Sequence, residues 1–140
     1  MKASRTVYVI AAWAFVIGVL VQVFFAGMTA VAGRWGWDNH ISLGHFLAVP
    51  LLVMLITAYV GKLSGHMKRL TWLLFGVYVL QADVLIFLRA SAPVLSAFHP
   101  VLALIDFALG LMLAQQAMAI VRADKTAAAP QSQPESIPGD

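Results

Sequence analysis

Four apolar stretches, each long enough to cross about 30 Å of hydrocarbon, constrain this chain more than any other feature. They run from about Val7 to Ala32, Ile41 to Val60, Leu70 to Leu88 and Pro93 to Val121. Few polar groups interrupt them: Gln22 and Thr29 in the first, Gln81 and Asp83 in the third, His99, Asp106, Gln115 and Gln116 in the fourth. Lipid cannot satisfy the backbone of an open strand, so all four are expected to be helices. With 11% of residues charged, the chain also lacks the polar surface of a soluble domain, where about a quarter are charged. The fold class expected is all-α, a four-helix transmembrane bundle over residues 1–122. Short connections favour up-down-up-down order.

Lys2 and Arg5 ahead of an apolar run, with Ala30-Val31-Ala32 beyond it, resemble a secretory signal. The run is longer than the roughly 7–15 residues of a signal core, so a retained first span is expected. Lys2, Arg5, Lys62, Lys68, Arg69, Arg122 and Lys125 fall on one side of the bundle, and Arg34 and Arg89 on the other. That asymmetry places both termini in the cytoplasm. The net charge of +3 is therefore explained by topology, and no nucleic-acid partner is implied. The chain has no cysteine, which excludes thiolate zinc sites, Cys-ligated iron–sulfur clusters, disulfides and covalent haem attachment. Residues 123–140 change to Ala, Pro, Gln, Ser and Gly with no apolar face to bury, and a disordered tail is expected there.

Sliding the chain along itself by 59 residues brings Trp13 onto Trp72, Gln22 onto Gln81 and His40 onto His99. Gly44 falls on Ala103, small on small. Coincident Trp, Gln and His at one offset, in a chain with four Trp and four His, predict two tandem helical hairpins related by a pseudo-twofold axis along the membrane normal.

The repeat has a chemical consequence. In such a bundle the second and fourth helices lie on a diagonal, and His40 and His99 open these two spans near the outer face. Two imidazoles facing across a core can take both axial positions of one haem iron. Gly44 and Ala103, one turn on from each histidine, leave room for a flat macrocycle. The plainer reading of each histidine is a hydrogen bond to headgroups or water, which would serve for a single His at a membrane edge. His45 is the runner-up ligand, since a fourth helix starting early would put His99 deeper. It lies about 140° round the helix from His40, so the two cannot face one point. His66 falls in the basic cytoplasmic loop and is expected to be solvated.

Pro100 disfavours helix at His99, so a kink or helix start there aims the ring. Pro50 frees the carbonyl of Phe46 and is expected to bend the second span. Arg34 and Arg89, at the outer face with Trp35 and Trp37, suit haem propionates; an interfacial Trp–Arg belt is the alternative. Asp83 and Asp106 are costly inside a bilayer. Asp83 lies in reach of Arg89 or a ligand imidazole, and Asp106 follows His99 on roughly the same face. Each is a candidate proton relay from a quinol, or an inter-helix hydrogen-bonding group with no chemistry.

The run Gln22-Val23-Phe24-Phe25-Ala26-Gly27, His40 with Gly44 in His-Ile-Ser-Leu-Gly, and His99-Pro100-Val101-Leu102-Ala103 together resemble a family of small bacterial four-helix integral membrane proteins of unknown function. Its layout is similar to one half of haem A synthase and to other four-helix b-type cytochromes, over about residues 5 to 122. The resemblance implies haem b held by His40 and His99 in a bacterial inner membrane. Haem A synthase has a second four-helix half that this chain lacks, so its hydroxylating chemistry is not carried over. The expected function is electron transfer through bis-histidine haem, with a quinol or a membrane redox partner and with self-association open. No nucleophile constellation points to an enzyme. The competing readings are a haem-free accessory subunit and a small transporter whose polar path is lined by Asp83, Asp106 and the glutamines.

Overall fold

A computed structural model describes residues 1–127 of the chain. Helix α1 covers Lys2–Ala30. The second span is split into α2, Asp38–Phe46, and α3, Ala48–Val60. The third begins as α4, Gly65–Val79, passes through a π-helical turn at Leu80–Val84 and a short α5, Leu85–Phe87, and ends in a 3₁₀ turn at Leu88–Ala90. A short α6, Pro93–Ser96, precedes α7, His99–Thr126. The four runs Lys2–Ala30, Asp38–Val60, Gly65–Ala90 and Pro93–Thr126 are long and apolar enough to cross a membrane.

The helices overrun the apolar stretches because hydropathy registers only the part lying in hydrocarbon. Backbone hydrogen bonding continues into the interface until a cap or a proline intervenes. At the start of α4, ahead of the apolar run from Leu70, the Ser64 hydroxyl accepts from the Met67 amide. At the far end α7 continues through Ala123–Thr126, so the expected change of character at residue 123 is not a break in the helix. The rest of the expected disordered tail, residues 128–140, lies outside the described residues.

Pro50 acts where expected. Lacking an amide hydrogen, it cannot bond the Phe46 carbonyl, and the second span breaks at Leu47 between α2 and α3. Pro100 sits in the first turn of α7, where its missing donor costs nothing, and His99 becomes the first residue of that helix.

Helix α1 packs against α3 and α7, and α4 packs against the same two, which leaves the second and fourth spans on a diagonal. One end of the bundle is tied by Arg5. Its Nε donates to the Gly61 carbonyl at 2.9 Å, and its guanidinium pairs with the Asp124 carboxylate at 2.8 Å. In that half the interior is closely filled by Tyr8, Phe15, Leu51, Met54, Leu74 and Leu113, all fully buried. The Tyr8 hydroxyl meets Thr71 Oγ1 at 2.7 Å inside this core. The outward faces are apolar too: Ile10, Ile17, Ile56 and Leu104 are exposed, as side chains facing acyl chains should be.

Burial repeats at the sequence offset. Leu47, Leu51, Met54, Leu55 and Ala58 are buried on the second span. The residues 59 positions later, Asp106, Gly110, Leu113, Ala114 and Ala117, are buried on the fourth. Four of these five matches join residues with no polar side-chain group; the fifth sets Leu47 against a carboxyl.

Candidate functional site

The end of the bundle away from Arg5 is hollow. A cavity of about 1400 Å³ opens there, larger than the ~300–1,000 Å³ of most small-molecule sites. All four spans line it, with Phe15, Gln22, His40, Gly44, His45, Tyr78, Gln81, Asp83, Arg89, His99 and Ala103 among the lining residues. The two halves differ because the side chains change. Interior positions facing the Arg5 end carry Tyr, Phe, Leu and Met. At the other end the residues reaching inward from the second and fourth spans include Gly44 and Ala103.

His40 and His99 come together across this cavity, their ring centroids 6.1 Å apart and the planes inclined at 69°. Each is held the same way. His40 Nδ1 lies 3.1 Å from the Gln22 carbonyl oxygen, and His99 Nδ1 lies 2.8 Å from the Gln81 carbonyl oxygen. Both bonds span 18 residues and are related by the 59-residue offset. Since the carbonyl accepts, Nδ1 carries the proton and Nε2 is left with its lone pair. Histidines that ligate metals are held in this way, the second ring nitrogen donating to a carbonyl or carboxylate that fixes tautomer and orientation.

The glutamine side chains behave alike. Gln22 Oε1 and Gln81 Oε1 are both buried without a hydrogen-bond partner. A Cβ added to Gly44 would lie 2.6 Å from Gln22 Nε2, so this helix pair is close because residue 44 has no side chain. Gln81 differs from Gln22 in its backbone, since it lies in the π-helical turn, where the extra residue per turn rotates the remainder of the span.

The remaining candidates separate. Gly44, Ala103, Arg89 and Asp83 line the cavity. Arg34 does not. Its amide donates to the Met28 carbonyl at 2.8 Å in a turn with left-handed Gly33 and Trp35, and its side chain is exposed on the connecting loop. Asp83 lies 4.0 Å from His45 Nε2, and no Asp83–Arg89 ion pair forms among the described residues. His45 lines the same cavity as His40 and His99, with Nδ1 bonded to the Ile41 carbonyl of its own helix at 2.9 Å. His66 is exposed at the opposite end of the bundle, next to the cap of α4. Asp106 points inward and is 0% exposed, with neither carboxyl oxygen hydrogen-bonded.

Two features have no signal in residue type. The Tyr78 hydroxyl donates to the Gly44 carbonyl at 2.6 Å and pins α4 to α2 beneath the cavity. The Ser96 hydroxyl donates to the Leu85 carbonyl at 2.6 Å and ties the start of the fourth span to the third. Backbone acceptors leave no mark in a sequence. Only the equal spacing of Gln22 to His40 and Gln81 to His99 carries any signal for the histidine anchors.

Among the described residues no three His, Asp or Glu side chains gather into a metal cluster. A metal held by protein groups alone wants more ligands than two histidines supply. A haem, whose macrocycle already provides four nitrogens, wants only the axial pair. The donor set, the free Nε2 atoms and the large apolar cavity therefore fit haem.

A model of a family of unknown function, DUF6220, matches residues 22–90, from Gln22 through the second and third spans. Over that stretch the chain is similar to this family, in keeping with a small membrane protein built from apolar helices. No curated protein and no solved structure matches.

Proposed function

We propose that this chain is a membrane-embedded b-type cytochrome that holds one haem between His40 and His99 and transfers electrons. The observation that carries this reading is the duplicated anchor: two histidines facing each other across one cavity, each with Nδ1 bonded to the backbone of the preceding span. The ring centroids lie 6.1 Å apart, near enough for both imidazoles to reach one metal ion. Edge-to-face contact between free rings falls in the same range, so spectroscopy is the deciding measurement.

The chain's own residues supply the rest. His40 and His99 would hold the haem, and the Gln22 and Gln81 carbonyls keep their rings in the ligating tautomer. Ala103 leaves room beside His99, and Gly44 lets the Gln22 side chain approach beside His40. Arg89 lies at its rim, able to meet a propionate with a charge-assisted hydrogen bond. A haem held there would supply single-electron transfer. The matching buried sets and matching anchors support an up-down-up-down bundle with a pseudo-twofold axis. The basic residues favour cytoplasmic termini in a bacterial inner membrane. The partners implied are the lipid bilayer, a membrane quinol and a membrane redox protein.

Purified protein supplied with haemin is expected to give a low-spin spectrum. His40→Ala and His99→Ala each abolish that spectrum, while His45→Ala and His66→Ala keep it. A preparation with no Soret band after haemin is supplied refutes the reading. Loss on His45→Ala alone refutes the choice of His40.

A further inference from the structure

The duplicated frame is not symmetric in its polar residues. Matching each position with the one 59 residues away sets His45 against Leu104, Asp83 against Phe24, Arg89 against Ala30, and Tyr78 against Val19. In each of these pairs the polar member belongs to the second or third span, and its counterpart on the fourth or first is apolar. A two-histidine grip needs only what both halves share. Asp106 is unmatched on the fourth span, but it is buried and does not line the cavity; the unmatched ionisable groups that do line it lie on one side and suit a task with one side.

His45 and Asp83 are central to that side. They belong to neighbouring spans, both line the cavity, and their side chains are 68% and 54% exposed. Ionisable groups within apolar spans are costly unless paired, wetted or covered by a ligand. This pair is not closed on itself. His45 Nε2 and Asp83 Oδ1 are 4.0 Å apart, beyond hydrogen-bonding distance. His45 Nδ1 is committed to the Ile41 carbonyl at 2.9 Å, which leaves Nε2 facing the carboxyl. A hydroxyl oxygen at about 2.8 Å from each atom fits across the gap. With one proton shared by the pair, such a hydroxyl donates to one member and accepts from the other. Directly below, the Tyr78–Gly44 hydrogen bond holds the two spans together and floors the opening. Exposed Ile86 and Phe87 line the same cavity and offer an apolar wall.

We propose that the opening between the second and third spans binds a membrane-soluble quinol, whose hydroxyl bridges His45 and Asp83 and whose tail stays in lipid. The ligand must carry a hydroxyl that both donates and accepts, a flat apolar ring for the Ile86–Phe87 wall, and enough apolar mass to arrive through the bilayer. This site rests on the cytochrome reading, to which it adds a place for the electron donor.

Equilibrium binding of radiolabelled decyl-benzoquinol to the full chain in phosphatidylcholine nanodiscs tests it. Saturable binding is expected, weakened at least tenfold by Asp83→Asn and by His45→Ala. Phe24→Leu, at the position matching Asp83 on the opposite side, should stay within twofold of the parent. Asp83→Asn is close to isosteric, so it reports on the carboxylate even if His45→Ala folds poorly. Absence of saturable binding, or equal binding by the parent and Asp83→Asn, overturns the proposal. So does displacement of the quinol by phosphatidylglycerol with Arg89 required, because the opening would then be a lipid headgroup site. The haem spectrum is recorded on the same samples. Binding intact without a Soret band removes the haem alone, and a Soret band without quinol binding removes this site alone.

Discussion

Replacing Asp106 by leucine should make the bundle more stable. The carboxyl is 0% exposed and both of its oxygens lack hydrogen-bond partners. Its counterpart in the first hairpin, Leu47, is an apolar side chain 5% exposed, so the frame accepts leucine at this register. On insertion scales Asp at a helix centre costs about 2.5–3.5 kcal/mol, and Leu gains about 0.3–0.6 kcal/mol. Against a gain of roughly 3 kcal/mol stands overpacking of about 1–3 kcal/mol, since leucine is bulkier than the side chain it replaces. The net expectation for Asp106→Leu is a gain of about 1 kcal/mol. Asp106→Asn keeps two polar groups without partners and should lie within about 0.5 kcal/mol of the parent, because an unmade buried hydrogen bond keeps its cost. Unfolding in mixed detergent micelles with rising dodecyl sulfate, followed by far-UV circular dichroism, measures both. If Asp106→Leu is less stable by more than about 1 kcal/mol while Asp106→Asn is neutral, the carboxyl has polar company and the reasoning from its isolation fails. The neighbouring Gln81 amide is the group that would supply that company.

Tyr8→Phe removes the buried hydrogen bond to Thr71, whose hydroxyl keeps its bond to the Met67 carbonyl, so the same unfolding assay should show a loss of about 1 kcal/mol. Gly44→Val puts branched volume at the cavity wall, where even a Cβ would lie 2.6 Å from Gln22 Nε2 and push that side chain into the opening. It should fold with helix content unchanged but lose haem uptake, read as the Soret absorbance per mole of protein.

Four spans are legible in the sequence because an apolar run of crossing length has few other fates. Their ends are not. Hydropathy opens three of them at Val7, Ile41 and Leu70, whereas the helices begin at Lys2, Asp38 and Gly65, since polar first turns lie beyond hydrocarbon yet still bond as helix. The approach of His40 to His99 is legible through the repeat, which turns one sequence offset into one geometric relation. The His45–Asp83 approach is not, because it depends on how two neighbouring spans are rotated. The π-helical turn at Leu80–Val84 contributes to that rotation and has no composition signature. Spacing along an ideal helix puts Asp83 in reach of Arg89, but the 3₁₀ turn at Leu88–Ala90 tightens the helix between them. Charge alone groups Arg34 with Arg89, and only the left-handed turn around Arg34 reveals that its loop carries it away from the cavity.

The break at Leu47 gives the two facing rings unequal mountings. His99 rides on the first residue of a 28-residue rod whose far half is embedded in the closely filled end. His40 rides on a nine-residue segment joined to the rest of its span through Leu47, where the hydrogen-bond ladder is interrupted, and that residue seats its side chain against Gly18. One ring is thus seated through a single packed leucine and the other through unbroken helix.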